Sequence, residues 1–592
     1  MAQALYPSDL TGGRRVLWLL TVEWAGYTLR LASDEVDVVT EAGESIPYAS
    51  GLDELELSES ISLLGDSTGQ LSIPLEFLAP AGMSVAYRVS LGDDLSTARG
   101  ELSRWVEGTT YEQRRVVLVG RLVDPEYGAD DEPVSTSLEE TLPEDRAQLP
   151  GPGAKVSTAT WAHTDSLMDG SVGVAYPVVI GTPGVVDDSL GAQGWIPGTP
   201  AVWVDHRAEF ELANPGAPGD PSWPDITHGL FLVIAGHHVA ATRVYLNTDA
   251  DPTGDRFVVV NDYDQAGQPV ALVPFFSTTT AADIYEFDIY AEYQTLINDS
   301  DGVTSYGLGS VDVDDSFSDA EQSPVFVGWL DPLTGGGGLQ VGGRTIREAG
   351  DVMEWLLSQS TIPVDYGRFA AAKAALARFK LDGVISARVS PWAVLRDEIL
   401  PLLPVSLVSG PAGIYPIVWE YLATAADAVL DLDADTNPAI ERTGRIKYDS
   451  SDRSNRIEIS YAYSYRRQRH AGRIVLGAAA DQAEDATVQV HPLCERSRTR
   501  TGQRLESSLE TAWVYDTTTA QAVAEWQAAA LALPMRTVDV QIPEVEYVHI
   551  ERGQVVTLTD STVYLSKQVA LVQQVATDGT GYLTVTLLLL DR

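Results

Sequence analysis

Cysteine is almost absent from this chain, which has 592 residues and one cysteine, Cys494. A single thiol excludes an internal disulfide framework and any zinc site built from several cysteines. We expect Cys494 to be buried and to pack as a small apolar side chain. No apolar run approaches the roughly 18 residues that a membrane helix needs. The pair Arg14-Arg15 precedes an apolar run, Val16–Val22, that Glu23 ends after seven residues. We therefore predict a strand start there and not an export signal.

Positive charge is also scarce. The chain has 84 acidic and 39 basic residues, a formal net charge of −45, and only 5 of the basic residues are lysines. Nucleic acids and anionic membranes are bound by clustered Lys and Arg, so neither is expected as a partner. Two explanations of the low lysine content stay open. One is a GC-rich genome, and the other is adaptation to high salt, which screens a carboxylate-rich surface.

The charge excess predicts that the protein becomes more stable as salt is added. Like charges destabilise a compact state, more so in an oligomer, and at ~0.15 M salt screening acts only beyond about 8 Å. We expect the melting temperature to rise between low salt and molar KCl. A melting temperature that stays flat or falls over this range would contradict the prediction and favour the genomic explanation.

Motifs of catalytic sites are equally sparse. The sequence contains neither a His-Glu-x-x-His helix nor a Walker loop. The adjacent pair His237-His238 lies in a strand-like run, where neighbouring side chains point to opposite faces, so a structural role is expected. The carboxylate pair of a glycosidase is defined by a distance in space and is not visible in sequence. We therefore predict a protein that is not an enzyme, with no catalytic residue and no cofactor.

Three acidic clusters have the ligand type that Ca²⁺ prefers, which is several oxygens from one loop. They are Asn247/Asp249/Asp251/Asp255, Asp312/Asp314/Asp315/Asp319 and Asp431/Asp433/Asp435. The third begins like an EF-hand loop, but Thr436 replaces the required Gly and Arg442 replaces the final Glu. With 84 acidic residues in the chain, such clusters arise by chance. We predict no metal site from them.

The remaining composition favours β-structure. Hydrophobic residues make up 44% of the chain, and 50 Gly and 32 Pro provide many turns. We predict a mainly β, multidomain protein of barrel or sandwich domains with a smaller α/β part. The expected segments are an N-terminal β-barrel-like domain (1–145), a linker with a connecting strand (146–189), a β-rich insert (190–345), an α-containing domain (346–450) and a C-terminal β domain with one helix (451–592).

Alternating apolar residues and turn signals place strands in the first and third segments, and apolar residues at helical spacing place helices in the fourth. The predicted N-terminal strands are Val16–Glu23, Tyr27–Ala32, Val36–Val39, Leu55–Leu57, Leu71–Leu75, Val85–Ser90 and Val116–Leu122. The predicted strands of the insert are Leu230–Ala235, Ala241–Leu246, Arg256–Val260, Val270–Phe276 and Ile284–Tyr293. The predicted helices are Thr345–Phe379 and Trp392–Leu400, ending at Pro401.

The C-terminal segment has the most regular pattern. We predict a helix at about Thr517–Ala532 that is capped by Asp516 or Thr517 and stopped by Pro534. The predicted strands around it are Arg456–Tyr463, Arg536–Ile542, Gly553–Asp560 and Tyr582–Leu590. The Gly553–Asp560 strand and the last strand are expected in one sheet with a buried face.

This order of elements resembles the C-terminal part of tail-hub proteins, the baseplate or tail-tip hubs of tailed phages and related contractile injection systems. Cys494-Glu-Arg-Ser, followed by Trp513-Val-Tyr-Asp516 and the Ala-rich helix, fits the same pattern. The bracketed strand Tyr176-Pro-Val-Val-Ile-Gly-Thr-Pro-Gly184 is similar to an element of several phage tail proteins. The resemblance is clearest over the last quarter of the chain.

The resemblance implies a structural virion protein, a homotrimer with two β-barrel-like domains per subunit in a ring of pseudo-sixfold symmetry. Residues 1–145 and the C-terminal region are the candidates for these domains. The implied partners are the tail tube or distal tail protein, the C-terminus of the tape-measure protein and a central fibre or spike. Assembly in the host cytoplasm would need no targeting signal. The alternative function is a carbohydrate-binding adhesin or glycan-degrading enzyme of a tail, and a stand-alone extracellular β-protein is less favoured.

Overall fold

The chain is mainly β with a smaller helical part, arranged in several sheets. The structure is a computed structural model that describes residues 14–53, 72–79, 84–129, 132–139, 147–151, 177–183, 338–342, 344–465, 468–577 and 581–590, together with a few isolated positions. Of residues 57–60 and of the strands between residues 185 and 329, it describes the backbone alone.

The N-terminal sheet is antiparallel over most of its width and has eight strands in the order β3-β4-β2-β1-β7-β8-β9-β6. The strands of this region are β1 (Val16–Trp24), β2 (Tyr27–Ala32), β3 (Val36–Val39), β4 (Ser45–Ser50), β5 (Leu57–Ser60), β6 (Ser72–Phe77), β7 (Arg99–Val106), β8 (Arg115–Glu126) and β9 (Val134–Glu139). Trp18 and Trp24 lie in its main core with Leu20 and Leu102. A smaller core, which includes Trp105, covers the other face.

One predicted N-terminal strand is wrong, because Val85–Ser90 forms a short helix, α1. The Ser84 side chain caps it by accepting a hydrogen bond from the backbone N–H of Tyr87 at 2.9 Å. A six-residue apolar/polar run fits one turn of helix as well as a strand, so the cap decided the outcome.

The middle of the chain holds a separate sheet of seven strands in the order β16-β15-β19-β13-β14-β18-β17. Before it come β10 (Val178–Ile180), β11 (Val185–Val186) and β12 (Trp195–Ile196). The seven strands are β13 (Thr199–Arg207), β14 (Gly229–Val233), β15 (Ala241–Asn247), β16 (Phe257–Val259), β17 (Phe275–Phe276), β18 (Tyr285–Asp288) and β19 (Val325–Trp329). In the described backbone, all strands paired in this sheet come from the predicted insert.

The backbone before residue 182 and the backbone from residue 338 onwards lie side by side, on either side of the seven-stranded sheet in the sequence. The N–H of Gly338 donates to the carbonyl oxygen of Gly181 at 2.7 Å, and that of Leu339 donates to Val179, also at 2.7 Å. Strand β10 in turn pairs with β22 (Gly383–Ile385), which fixes the segment before the insert to the body of the protein. A segment whose ends are already hydrogen-bonded to each other can be removed without stretching the remaining backbone.

We propose that residues 190–345 form a separate domain, and we expect the rest of the chain to fold without it. Joining Gly184 to Gly338 should give a soluble protein with the oligomeric mass expected of the shortened subunit. Size-exclusion chromatography with light scattering measures this. If the insert instead completed the core of another domain, deletion would expose an edge and give aggregates or a different oligomer.

Helices follow the insert, after the hairpin β20 (Gln340–Val341) and β21 (Arg344–Thr345). They are α2 (Ala349–Ser358), α3 (Tyr366–Leu376) and α4 (Pro391–Val394), and the last continues as a π turn and a 3-10 turn to Leu402. The predicted helical stretch Thr345–Phe379 is therefore two helices, because Pro363 lies between them and cannot continue a helix. The predicted Trp392–Leu400 helix is confirmed, with Ser390 as its cap.

The C-terminal sheet is built from β25, β33, β34, β35, β32 and β26 in that order, with β27 added beside β32. The strands of the whole region from residue 405 onwards, which form this sheet and two smaller ones, are β23 (Val405–Gly410), β24 (Gly413–Val418), β25 (Leu430–Asp433), β26 (Glu441–Arg442), β27 (Lys447–Asp449), β28 (Arg456–Ser464), β29 (Arg469–Gly477), β30 (Val488–Val490), β31 (Glu506–Glu510), β32 (Met535–Pro543), β33 (Val555–Asp560), β34 (Leu565–Thr577) and β35 (Tyr582–Leu589). The helices are α5 (Ala479–Gln482), α6 (Pro492–Thr501), α7 (Thr517–Leu531) and α8 (Glu544–Tyr547). All predicted C-terminal elements are confirmed.

Both faces of the C-terminal sheet are buried. On β33, Val556 and Leu558 belong to a core within the sheet's own domain, whereas Val555 belongs to the large core that contains the helices. Helix α7 lies in that large core and packs on the four-stranded sheet β30-β29-β28-β31. Its predicted cap is confirmed, since the Asp516 carboxylate accepts from the N–H of Thr519 at 2.8 Å. The C-terminal sheet is thus the layer around which the last third of the chain packs.

Candidate functional site at the junction of two sheets

One strand of the N-terminal region pairs with the C-terminal sheet and not with the N-terminal one. Strand β5 leaves the N-terminal region and pairs antiparallel with β34, from Gln574↔Ser60 to Thr577↔Leu57. Strand β33 pairs with the first half of β34. Strand β5 therefore lies in line with β33, against the second half of β34. Backbone hydrogen bonds therefore connect the two ends of the chain directly.

A buried ion pair lies at the same junction. The guanidinium of Arg104, on β7, contacts the carboxylate of Glu544, on α8, and their side chains are 2% and 6% exposed. The two residues are 440 positions apart in sequence. The Arg104 guanidinium also lies 5.6 Å from the Trp18 ring, on the neighbouring strand β1. A desolvated charge of this kind is tolerated only when a partner of opposite sign is held against it.

Apolar and backbone contacts complete the junction. Val106 packs with Val548 in a small buried cluster. The guanidinium of Arg115, at the start of β8, donates to the backbone carbonyl oxygens of Val548 and Ile550 at 3.1 Å each. These carbonyls follow α8, so two arginines of the N-terminal sheet hold one C-terminal segment, residues 544–550. We call the contacts of β1, β7 and β8 with this segment, together with the β5–β34 ladder, the junction.

His549 gives the junction a pH dependence. Its burial and the positive charge of Arg115 lower the pKa of His549, and Glu551 acts in the opposite direction. A histidine whose pKa is lower in the folded state is protonated more readily when unfolded. Its stabilising effect is therefore complete above the unfolded pKa of about 6.5 and is lost as pH falls towards the folded value.

We expect His549→Gln to flatten the dependence of unfolding free energy on pH between about pH 7 and pH 5. Urea denaturation of the wild type and the variant at several pH values measures the two slopes. Burial also lowers the pKa of His491, so the double variant with His491→Gln should be flatter still. Equal slopes for wild type and His549→Gln would contradict this role of the histidine.

The third acidic cluster is used for internal hydrogen bonds. Asp431 accepts from the Thr557 hydroxyl at 2.7 Å, Asp433 accepts from two backbone N–H groups of its own turn, and Asp435 accepts from Ser561. Within the described residues, no three His, Cys, Asp or Glu side chains are arranged to hold a metal ion. The loop carboxylates of the other two clusters, and His237-His238, lie outside the described residues.

Two further features of the sequence are its lone cysteine and a Gly-x-Ser-x-Gly string. Cys494 is fully buried, as predicted, and its burial raises the pKa of the thiol to about 12. Gly65-Asp-Ser-Thr-Gly69 matches the Gly-x-Ser-x-Gly string of a nucleophile elbow. It lies outside the described residues.

The junction residues were missed by the sequence analysis. Arg104 occupies a core-facing position on β7, two residues from Leu102 and two from Val106, which are both buried. An arginine in an apolar alternation is a signal of a buried partner. The pattern does not reveal which of 84 acidic residues that partner is.

Among the described helices, none is long and apolar enough to cross a membrane.

Comparison with known proteins gives distant structural similarity only. No protein-family model and no curated protein matches the chain. A tail protein from Neisseria meningitidis MC58 is 9% identical, with 97% of this chain and 96% of that chain covered, at a TM-score of 0.32. The 43 kDa tail protein of prophage MuSo2 from Shewanella oneidensis is 10% identical, with 96% and 98% covered, at 0.31. A chain in the virion of a native gene transfer agent is 12% identical, with 72% and 87% covered, at 0.31.

Proposed function

We propose that this protein is a structural component of a virion tail, a baseplate or tail-tip hub that joins the tail tube or distal tail ring to a central fibre or spike. The observation that carries the proposal is the junction, where residues 440 positions apart form a buried ion pair. It fixes two large β-sheets, one from each end of the chain, in a single orientation. The order of C-terminal elements that resembles tail hubs supports the same function.

A fixed orientation of two β domains is what a hub ring requires. In a cyclic trimer, each subunit must present two similar domains at nearly equal angular spacing to face a hexameric tube. Domains on flexible linkers would not keep that spacing. The β5–β34 ladder and the Arg104–Glu544 pair supply the rigidity, because breaking them would leave backbone groups and a charge unpaired.

The proposed partners follow from this position. One side of the trimer would contact the tail tube or distal tail protein, the other would contact the fibre or spike, and the tape-measure C-terminus would lie inside the ring. The site of action would be the tail tip of the virion, after assembly in the host cytoplasm. The proposed role is structural and involves no reaction.

Negative-stain imaging of the purified protein tests this proposal. We expect class averages of a ring with threefold symmetry and six peripheral β lobes. A matched variant, Glu544→Gln, removes the charge of one junction partner and should blur or lose the lobes while leaving other surfaces unchanged. Monomeric particles of the wild type at micromolar concentration would overturn the hub proposal.

A further inference from the structure

A cavity of about 230 Å³ lies between the β20–β21 hairpin and helices α2 and α3. It is unrelated to the junction in position and residues. Its lining is mostly charged and aromatic, with Arg344, Asp351, Glu354, Lys373, Trp355 and Tyr366. The cavity is smaller than the roughly 300–1,000 Å³ of pockets for drug-sized ligands, so it suits one small unit of a larger molecule.

The charges that line the cavity balance. Lys373 contacts the carboxylate of Asp351 at 2.8 Å and that of Glu354 at 2.5 Å. Arg344 contacts the same Asp351 carboxylate at 2.5 Å. Two carboxylates thus face two cations, and a charged ligand would have to break one of these pairs and leave a partner uncompensated. The lining therefore favours an uncharged ligand.

The polar groups alternate between donors and acceptors. Asp351 and Glu354 only accept hydrogen bonds, whereas Arg344 and Lys373 only donate them. The Arg344 side chain is 67% exposed, and the Ser358 hydroxyl lies on the same lining. A ligand that satisfies both kinds of group at close spacing needs several hydroxyls, because a hydroxyl donates and accepts at once.

Aromatic side chains supply the apolar wall. Tyr366 is 54% exposed at the first position of α3, next to its capping residue Asp365. Trp355, on α2, is half-buried against the core and also lines the cavity. An exposed aromatic ring beside paired charges offers a flat apolar surface for C–H groups.

We propose that this cavity binds a single uncharged sugar unit of a glycan, with its C–H face on Tyr366 or Trp355 and its hydroxyls on Asp351, Glu354 and Arg344. An apolar ligand would shield the paired charges from water without satisfying the hydrogen-bonding capacity that water supplies to them. An acidic sugar or a phosphate would meet the two carboxylates. The neutral sugar is the class of ligand whose groups match every side of the cavity.

Saturation-transfer NMR of the intact protein with a panel of methyl glycosides tests this proposal. The panel comprises neutral hexoses, deoxyhexoses and N-acetylhexosamines, with a uronic acid as the charged comparison. We expect at least one neutral glycoside to bind and the uronic acid not to bind. Tyr366→Ala should weaken that binding about fivefold to tenfold, which is the loss of one aromatic contact.

Two further variants decide the outcome. Glu354→Gln keeps the size of the side chain and should also weaken binding, while the matched control Tyr448→Ala, a 68% exposed tyrosine on β27, should leave it unchanged. Melting temperatures show that each variant is folded. Failure of all neutral glycosides to bind, or binding that Tyr366→Ala and Glu354→Gln do not weaken, would overturn the proposal. Either result leaves the hub proposal standing, because that proposal depends on the trimeric ring.

Discussion

Replacing Leu558 by Asp is expected to lower the free energy of unfolding by about 4 kcal/mol or more. Leu558 is 1% exposed near the centre of β33, between Leu432 on β25 and Gln568 on β34. Its side chain belongs to the core that also contains Val540 and Val572. The substitution removes a buried apolar side chain and places a carboxylate without a partner in the same position, so both penalties add.

Chemical denaturation of Leu558→Asp and Leu558→Ala separates the two penalties. The alanine variant creates only a cavity and should cost about 2–5 kcal/mol, with the aspartate variant less stable still. The difference between them should shrink at acidic pH, where the buried carboxyl becomes neutral. An aspartate variant that unfolds at the wild-type urea concentration would show that β33 is not the buried strand described here.

Removing one partner of the buried Arg104–Glu544 pair is expected to lower the free energy of unfolding nearly as much as Leu558→Asp does. Arg104→Met or Glu544→Leu alone should lower the free energy of unfolding by about 3–5 kcal/mol, because the remaining charge is buried without compensation. The double variant should recover most of this loss, since replacing a whole buried pair by apolar side chains is often neutral or stabilising. Urea denaturation of the three variants gives the coupling energy directly.

A partly exposed ion pair of the same sheet provides the matched control for the buried pair. Arg114 contacts Glu101 at 2.7 Å with side chains 17% and 32% exposed, and Arg114→Gln should cost about 1 kcal/mol or less. Limited proteolysis adds a readout specific to the junction, since a single variant that opens it should expose the segment around α8 to cleavage. If Arg104→Met and Arg114→Gln cost the same, the Arg104–Glu544 pair is not what holds the sheets together.

The sequence predicted those elements whose signals are local. Helix α7 was found from its cap Asp516 and its run of alanines, and its bounds differ from the prediction by one residue. Strand β33 was found from alternation after the turn at Gly553, which has a φ of +81°. The prediction of a strand at Val85–Ser90 was wrong, because six residues are too few for their periodicity to distinguish a strand from a helix.

Contacts between residues far apart in the sequence could not be predicted from local patterns. The β5–β34 ladder joins segments more than 500 positions apart, and no local signal in Leu57–Ser60 specifies that partner. The second buried face of β33 was missed because Val555 and Thr557 look half-polar until the helices of the large core are placed against them. The Lys373 pairs that line the cavity beside the β20–β21 hairpin connect two helices whose packing depends on the whole core.

The oligomeric state in solution tests the central claim most directly. Multi-angle light scattering behind size-exclusion chromatography, run at high salt to screen the charge of −45, measures the mass of the assembly. A hub with two rigidly joined β domains per subunit predicts three times the subunit mass, unchanged on dilution through the micromolar range. A stable monomer or dimer under the same conditions would contradict it.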